Sequence, residues 1–388
     1  MICMLAGVET AEGLNGVGMR AFEMAAALTA VCDITVLVPD EPHPDVQATW
    51  PQVRWVTTAV PPTAPAGGGV VIYTFAAEPA EVVAFKNAGW TCLFDAIVWP
   101  LEYLTYERVR QAVNPAYAYR SLLGDYLRQI RLAAAFLVGS ELEKQVLTAT
   151  LATERPDLLL QAGDPSLDGL IHVLPVGWSR TNERTRFPAN PAERERPLFV
   201  WNGGSWNHYN PAAAIEGLAL LVESGQPADL WFLYPQRGTP TAAFRAAREA
   251  ADRPSVRPYV HFADGQTSLS QRVEHLQAAS ASLCLYPAHA LWDLCPPMRL
   301  RESLVYDLPV LTPRRGALGQ LVDQTGIGVT VGSLHPQDVA VGMRWILDPA
   351  RQHAARRAVS DLAGAYAYES RADQLTTWVN ALRPRGQR

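Results

Sequence analysis

Paired cysteines are the first thing this chain lacks. Its five cysteines (Cys3, Cys32, Cys92, Cys284, Cys295) are scattered, odd in number and never in C-x-x-C spacing, which argues against a disulfide framework and indicates no zinc site. Three of them lie in apolar, strand-like contexts and are expected to be buried, reduced thiols. Long hydrophobic runs are missing too. No apolar stretch reaches transmembrane length, and the N-terminal Ile2-Cys3-Met4-Leu5-Ala6 carries no basic n-region. The expectation is a cytoplasmic protein with at most peripheral membrane contact. An excess of positive charge is absent as well: a net charge of -5 excludes a large non-specific nucleic-acid surface, which needs Lys and Arg to neutralise phosphates. There is no repeat at a solenoid or propeller period. His208 and His289 have no neighbour at metal-ligand spacing, so no metal is expected there.

What is present is a well-buried globular composition, 388 residues with 48% hydrophobic and 18% charged positions, long enough for two or three domains. Short apolar runs alternate with amphipathic stretches, the pattern of a parallel α/β architecture. Strands are expected at Met1–Leu5, Ile34–Val38, Val53–Val56, Val70–Tyr73, Thr91–Phe94, Ala135–Val138 and Ile171–Leu174. Helices are expected at Gly18–Ala30, Pro79–Ala88, Tyr117–Ala134 and Glu141–Ala152. From Ser179 to Pro197 the composition turns to Arg, Glu, Asn and Pro, and reads as a linker. A second series follows: Leu198–Trp201, Leu230–Tyr234, Val260–Phe262, Ala281–Tyr286, Val310–Leu311 and Gly328–Val331, with a helix at Ala212–Val222 and a late one at Tyr366–Leu382. The expected fold is therefore α/β with two Rossmann-like, doubly wound domains facing across a cleft: residues 1–178, a linker at 179–197, residues 198–363, and a C-terminal helix at 364–388.

Three segments carry candidate chemistry. Gly13-Leu14-Asn15-Gly16-Val17-Gly18 joins the first strand to the first helix, where Gly16 and Gly18 let a ligand approach the main chain. It is not G-x-G-x-x-G, and Arg20 occupies the early helix. The run Trp201-Asn202-Gly203-Gly204-Ser205-Trp206 ends a strand before a helix, and its amides suit a diphosphate. Gly204 is expected to be the position where a Cβ crowds that anion. Last, Arg299-Leu300-Arg301-Glu302-Ser303-Leu304-Val305-Tyr306-Asp307-Leu308-Pro309 places Glu302 on a helix that stops at a Tyr306-Asp307 turn, just before a short strand. In an open α/β sheet that carboxyl edge is where ligands bind.

This last segment resembles the donor-binding helix of retaining GT-B glycosyltransferases, particularly the family 4-like group. There an acid seven residues ahead of a strand proline holds the ribose of a sugar nucleotide, and Glu302 and Pro309 match. The GG segment is similar to a W-x-G-G-x-W loop of bacterial polysaccharide glycosyltransferases, and Val173–Trp178 resembles the family's exit from its first domain. The resemblance implies transfer of a sugar from a nucleotide-diphosphate donor to a hydroxyl acceptor (a glycan, lipid-linked sugar or small molecule), with retention. It implies no cofactor beyond the donor and no required metal. It also implies a final helix that crosses back to the first domain.

The chain departs from the family's pattern in two places. The loop lacks the Arg and Lys that neutralise a diphosphate, and the first acid of the paired-glutamate motif is missing near Leu294. Arg299 and Arg301 are candidates for the lost charge, since a guanidinium binds phosphate in a bidentate way, and neighbouring Asp293 for the lost acid. Asp95, at the end of a strand, and Glu102 are candidates for acceptor hydroxyls. Two other readings stay open on the sequence. One is a non-catalytic sugar-nucleotide-binding partner subunit. The other is an NAD(P)-dependent oxidoreductase, for which Asp40 follows the second strand.

Overall fold

A computed structural model describes residues 2–5, 16–57, 60–66, 68–187, 194–236, 238–263, 265 and 267–382. It divides into two compact units. The first comprises Met1–Tyr103, Asn114–Asn182 and Ala367–Arg388, and the second Leu104–Val113 and Glu183–Tyr366.

The first unit is built on seven parallel strands: β1 (Ile2–Leu5), β2 (Ile34–Val38), β3 (Arg54–Thr57), β4 (Gly69–Tyr73), β5 (Trp90–Asp95), β6 (Ala135–Val138) and β7 (Ile171–Val173), in the order β3-β2-β1-β4-β5-β6-β7. The second has six, also parallel: β8 (Leu198–Trp201), β9 (Asp229–Phe232), β10 (Val260–Phe262), β11 (Ala281–Leu283), β12 (Val310–Pro313) and β13 (Gly328–Val331), ordered β10-β9-β8-β11-β12-β13. Central strands such as β2 (ITVLV), β6 (AFLV) and β8 (LFVW) are buried along their whole length. That is what a parallel strand covered by helices on both faces demands. The edge strands β3 (RWVT) and β10 (VHF) are half-buried and take polar residues. In both sheets the order reverses once, between β1 and β4 and between β8 and β11. The carboxyl ends of those pairs are the places where such folds bind ligands.

Three expectations about organisation need revision. The stretch Tyr366–Leu382 is not one helix. A helix Pro349–Tyr366 ends there, Ala367 turns extended and forms a parallel bridge with Trp178, and a 3-10 turn at Tyr368–Arg371 precedes the helix Ala372–Ala381. The interruption lets the buried Tyr368 hydroxyl accept from Gly177 N–H at 3.1 Å. Residues 104–113, expected inside the first domain, belong to the second unit. There the Asn207 amide donates to the Thr105 carbonyl (2.9 Å) and to Glu107 (2.6 Å), and Arg245 pairs with Glu107 at 3.1 Å. The expected linker contains a helical turn, Glu183–Arg186, whose first residue is completely buried.

Candidate functional site

At the reversal point of the second sheet, β8 ends in Trp201 and the chain crosses the carboxyl edge before the helix Pro211–Glu223. Asn210 caps that helix, its side chain accepting from Ala213 N–H at 3.1 Å, and proline at the first position fixes the entry. Within the crossing, Gly203 holds φ at +132°, a value that L-residues with a Cβ rarely adopt. A Cβ there would also stand 3.1 Å from the Arg299 guanidinium. The positive φ thus falls on Gly203. At Gly204 the constraint is close packing, since a Cβ would sit 2.6 Å from the half-exposed Trp206 indole. Ser205 is buried, and its carbonyl accepts from the Thr241 hydroxyl.

Arg299 lies directly beneath this turn. Its guanidinium is 3.9 Å from the Tyr209 ring centroid and 4.5 Å from that of Trp201, and Nη2 donates to the Gly204 carbonyl at 2.5 Å. The residue is only 6% exposed, yet among the described residues Nη1 has no hydrogen-bond partner, and neither has the buried Oδ1 of Asn202. Buried polar atoms of this kind are rare and need a reason. The aromatic faces stabilise the cation but offer Nη1 no acceptor.

An aromatic wall continues around it. Tyr209 and Trp292 stand 4.9 Å apart, Tyr286 and Trp292 4.4 Å, and His208 and Trp292 5.4 Å. The His208 ring is buried, with Nδ1 2.9 Å from the Thr105 hydroxyl. Burial, reinforced by the charge of Arg299 and by His289, pushes its pKa down to about 3, so it is neutral at pH 7. Asp293 is exposed on the helical turn Leu291–Leu294. Gly316 permits this arrangement, for a Cβ there would meet the Trp292 carbonyl at 2.7 Å.

Glu302 lies on the helix Leu300–Tyr306, which Asp307 ends in the left-handed conformation at φ +53°. An aspartate tolerates that region better than most residues. Arg184 donates to the Asp307 carboxylate at 2.9 Å. Glu302 is 5% exposed and sits in a quartet of charges. Arg301 donates through both terminal nitrogens to Glu183, each at 2.6 Å, Arg272 donates to Glu183 at 3.2 Å, and so does the Tyr306 hydroxyl at 3.0 Å. Burial opposes the charge on Glu183, but the two arginines outweigh it and hold the carboxyl below the usual carboxylate range. Arg301, a candidate for the diphosphate, is therefore enclosed and committed to Glu183. The cation beside the GG turn is Arg299. Glu183 itself had no signal in the sequence, because it lay in a polar stretch and its partners are 89 and 118 positions away.

In the first unit, Gly16 and Gly18 open the helix Gly16–Leu28, while Gly13, Leu14 and Asn15 lie outside the described residues. Asp95, expected to meet acceptor hydroxyls, is 1% exposed. Both its oxygens accept from Arg20, at 2.8 and 3.1 Å. Its carboxylate is spent inside the unit, which removes it as an acceptor-binding acid. Among the described residues no group of three or more His, Cys, Asp or Glu is placed to hold a metal ion. No described helix is long and apolar enough to cross a membrane.

No family model and no curated protein matches the sequence. Among solved structures the chain is similar to a sucrose-phosphate synthase from Thermosynechococcus elongatus, at 14% identity over 97% of each chain with a TM-score of 0.61. It is also similar to a glycosyltransferase from Rickettsia africae, at 10% identity over 99% of this chain and 98% of that one, TM-score 0.57. A third is a UDP-forming alpha,alpha-trehalose-phosphate synthase from Burkholderia xenovorans, at 11% identity over 81% of this chain and 73% of that one, TM-score 0.57. At these identities the likeness establishes the fold: an α/β chain with two Rossmann-like domains of the GT-B kind.

Proposed function

We propose that this protein is a retaining, family 4-like glycosyltransferase that moves a sugar from a nucleoside-diphosphate donor to a hydroxyl acceptor, a glycan or a small molecule. The observation that carries the reading is Arg299: a buried cation beside a GG turn, at the reversal point of a Rossmann-like sheet, with a donor nitrogen that no described residue satisfies. A diphosphate supplies both the charge and the acceptors it lacks. The amides of Gly203–Ser205 and the Arg299 guanidinium then stabilise the leaving diphosphate as the sugar becomes oxocarbenium-like. Glu302, on the neighbouring helix, accepts from the ribose hydroxyls, and Asp293 replaces the absent first acid at the sugar. With retention the leaving phosphate takes the acceptor proton, so the chemistry calls for no dedicated base and no required metal.

The test is a thermal-shift and calorimetric screen of UDP-, GDP-, dTDP- and ADP-sugars, followed by transfer assays with and without EDTA. One class of donor should raise the apparent stability, because it binds only the folded state, and turnover should survive EDTA. Glu302→Ala should weaken that donor at least about tenfold, as the loss of one charge-assisted hydrogen bond already implies. A protein that binds no sugar nucleotide overturns the reading. One that binds a donor but turns over none with any acceptor is a binding subunit. Binding of nicotinamide dinucleotides in place of sugar nucleotides would restore the oxidoreductase.

A further inference from the structure

We propose that Glu183, reaching in from the interdomain linker, is a positioning residue that draws two arginines onto itself and so keeps the Glu302 carboxylate free for donor hydroxyls. The inference rests on the ribose role proposed for Glu302.

The geometry is a competition between two carboxylates for the same two guanidiniums. Glu183 is wholly buried, and Arg301 meets it fork to fork with two bonds of 2.6 Å. Arg272 adds a bond of 3.2 Å and the Tyr306 hydroxyl one of 3.0 Å, so four donors converge on Glu183. The same guanidiniums reach Glu302 Oε1 only at 3.5 Å (Arg301) and 3.6 Å (Arg272). A charge-assisted bond at 2.6 Å is short and strong, whereas at 3.5–3.6 Å hydrogen bonding has largely gone and only the field remains. Arg272 is fixed at its other end, where Nη1 donates to the Tyr234 hydroxyl at 2.6 Å. The quartet balances two acids against two arginines, which is how a site this enclosed tolerates four charges.

Without the charge of Glu183, two buried guanidiniums would face a single carboxylate. The bidentate fork of Arg301 would turn to Glu302, the adjacent acid, and occupy the lone pairs a ribose diol requires. Donor hydroxyls would then have to displace an arginine. Glu183 prevents that while leaving the positive field of both arginines around Glu302.

The experiment compares Glu183→Gln, Glu183→Asp and the double variant Glu183→Gln/Arg301→Gln with the wild type. Donor affinity is read by calorimetry, and donor and acceptor KM by initial rates. The position of the Arg301 fork is read from crystal structures of the wild type and the variants. In Glu183→Gln the donor should bind about tenfold more weakly, a loss of about 1.4 kcal/mol, and its KM should rise while the acceptor KM holds. In the crystal the Arg301 fork should turn onto Glu302. The double variant, having lost the competing arginine, should recover donor affinity to within about threefold of wild type.

A merely structural glutamate predicts otherwise: affinity lost equally in the single and double variants. That result overturns the proposal, as does a folded Glu183→Gln with normal affinity and an unmoved Arg301 fork. If Glu183→Gln does not fold, Glu183→Asp keeps the charge but shortens the reach, so that the two-bond fork of Arg301 is lost. Wild-type affinity and an unmoved fork in Glu183→Asp would likewise overturn it. A wild type that binds no sugar nucleotide, in which the Arg301 fork still turns onto Glu302 in Glu183→Gln, removes the ribose role but not the shielding of Glu302.

Discussion

Arg20 in the first unit and Arg299 in the second are both buried, and the two are spent differently. Arg20 in the first unit donates from Nε and Nη2 to Asp95, from Nη2 to the Leu174 carbonyl, and from Nη1 to the Pro175 carbonyl and the Tyr368 hydroxyl. A guanidinium has five N–H donors, and all five are used. Arg299 in the second unit makes one hydrogen bond among the described residues and rests on two aromatic faces. Burial is nearly the same for both, so burial alone does not mark a site. The difference lies in unspent donors. The whole fork of Arg20 is satisfied inside its unit, whereas Arg299, beside the GG turn, is enclosed with Nη1 still short of an acceptor among the described residues.

The widest separation should come from breaking each arginine's environment. Asp95→Ala leaves Arg20 charged and unpaired in the interior, which should cost about 3–5 kcal/mol of stability, read as a fall in the urea midpoint at unchanged slope. Arg299→Ala should do the reverse, weakening sugar-nucleotide binding by roughly 10- to 150-fold, the worth of a charge-assisted bond of about 1.5–3 kcal/mol, with a far smaller change in that midpoint. Equal destabilisation by both changes, with donor binding retained in Arg299→Ala, would erase the distinction.

A second, smaller effect concerns protons. His208 has its folded pKa depressed to about 3 from an ordinary 6.5, so the unfolded chain takes up this proton first as pH falls. Its neutral, buried state therefore contributes stability fully above pH 6.5, and that contribution is lost as pH drops from there toward 3, at most about 1.4 kcal/mol per pH unit. Other histidines share the direction, so the measurement is the difference between wild type and His208→Asn in urea titrations at pH 7, 6 and 5. Identical slopes for the two proteins would show that His208 is not the buried neutral ring described. The smallest effect should be at exposed Asp293. Asp293→Ala should change stability by less than about 0.5 kcal/mol and donor affinity by less than about twofold, with its loss confined to kcat. A large drop in the urea midpoint would mean that this acid supports the turn rather than the reaction.

Much of the fold was legible because parallel strands buried on both faces leave unbroken apolar runs. Ile34–Val38, Ala135–Val138 and Leu198–Trp201 fall where the pattern puts them. The GG turn and the Glu302 helix were legible as local motifs. Which of Arg299 and Arg301 lies under the turn was not. Two positions along a helix amount to roughly 200° of rotation, so the two side chains leave on opposite sides, and only the tertiary surroundings decide which one meets Glu183. Glu183 was hidden for the same reason, since its meaning lies entirely in partners far along the chain. Asp95 read as an available acid because the sequence cannot show that a helix begun at Gly16 brings Arg20 against it.

The Tyr368 hydroxyl that completes the Arg20 cluster comes from a residue 348 positions later. The first unit is thus interrupted in the chain by nearly all of the second, Glu183–Tyr366. During synthesis, when domains ordinarily form in order of emergence, the earlier half must wait with its central arginine short of a ligand. The later half, almost continuous in sequence, can close first. The Arg20 cluster can therefore be completed only once Glu183–Tyr366 has been made, and the Ala367 bridge to Trp178 marks where the chain returns to the first unit.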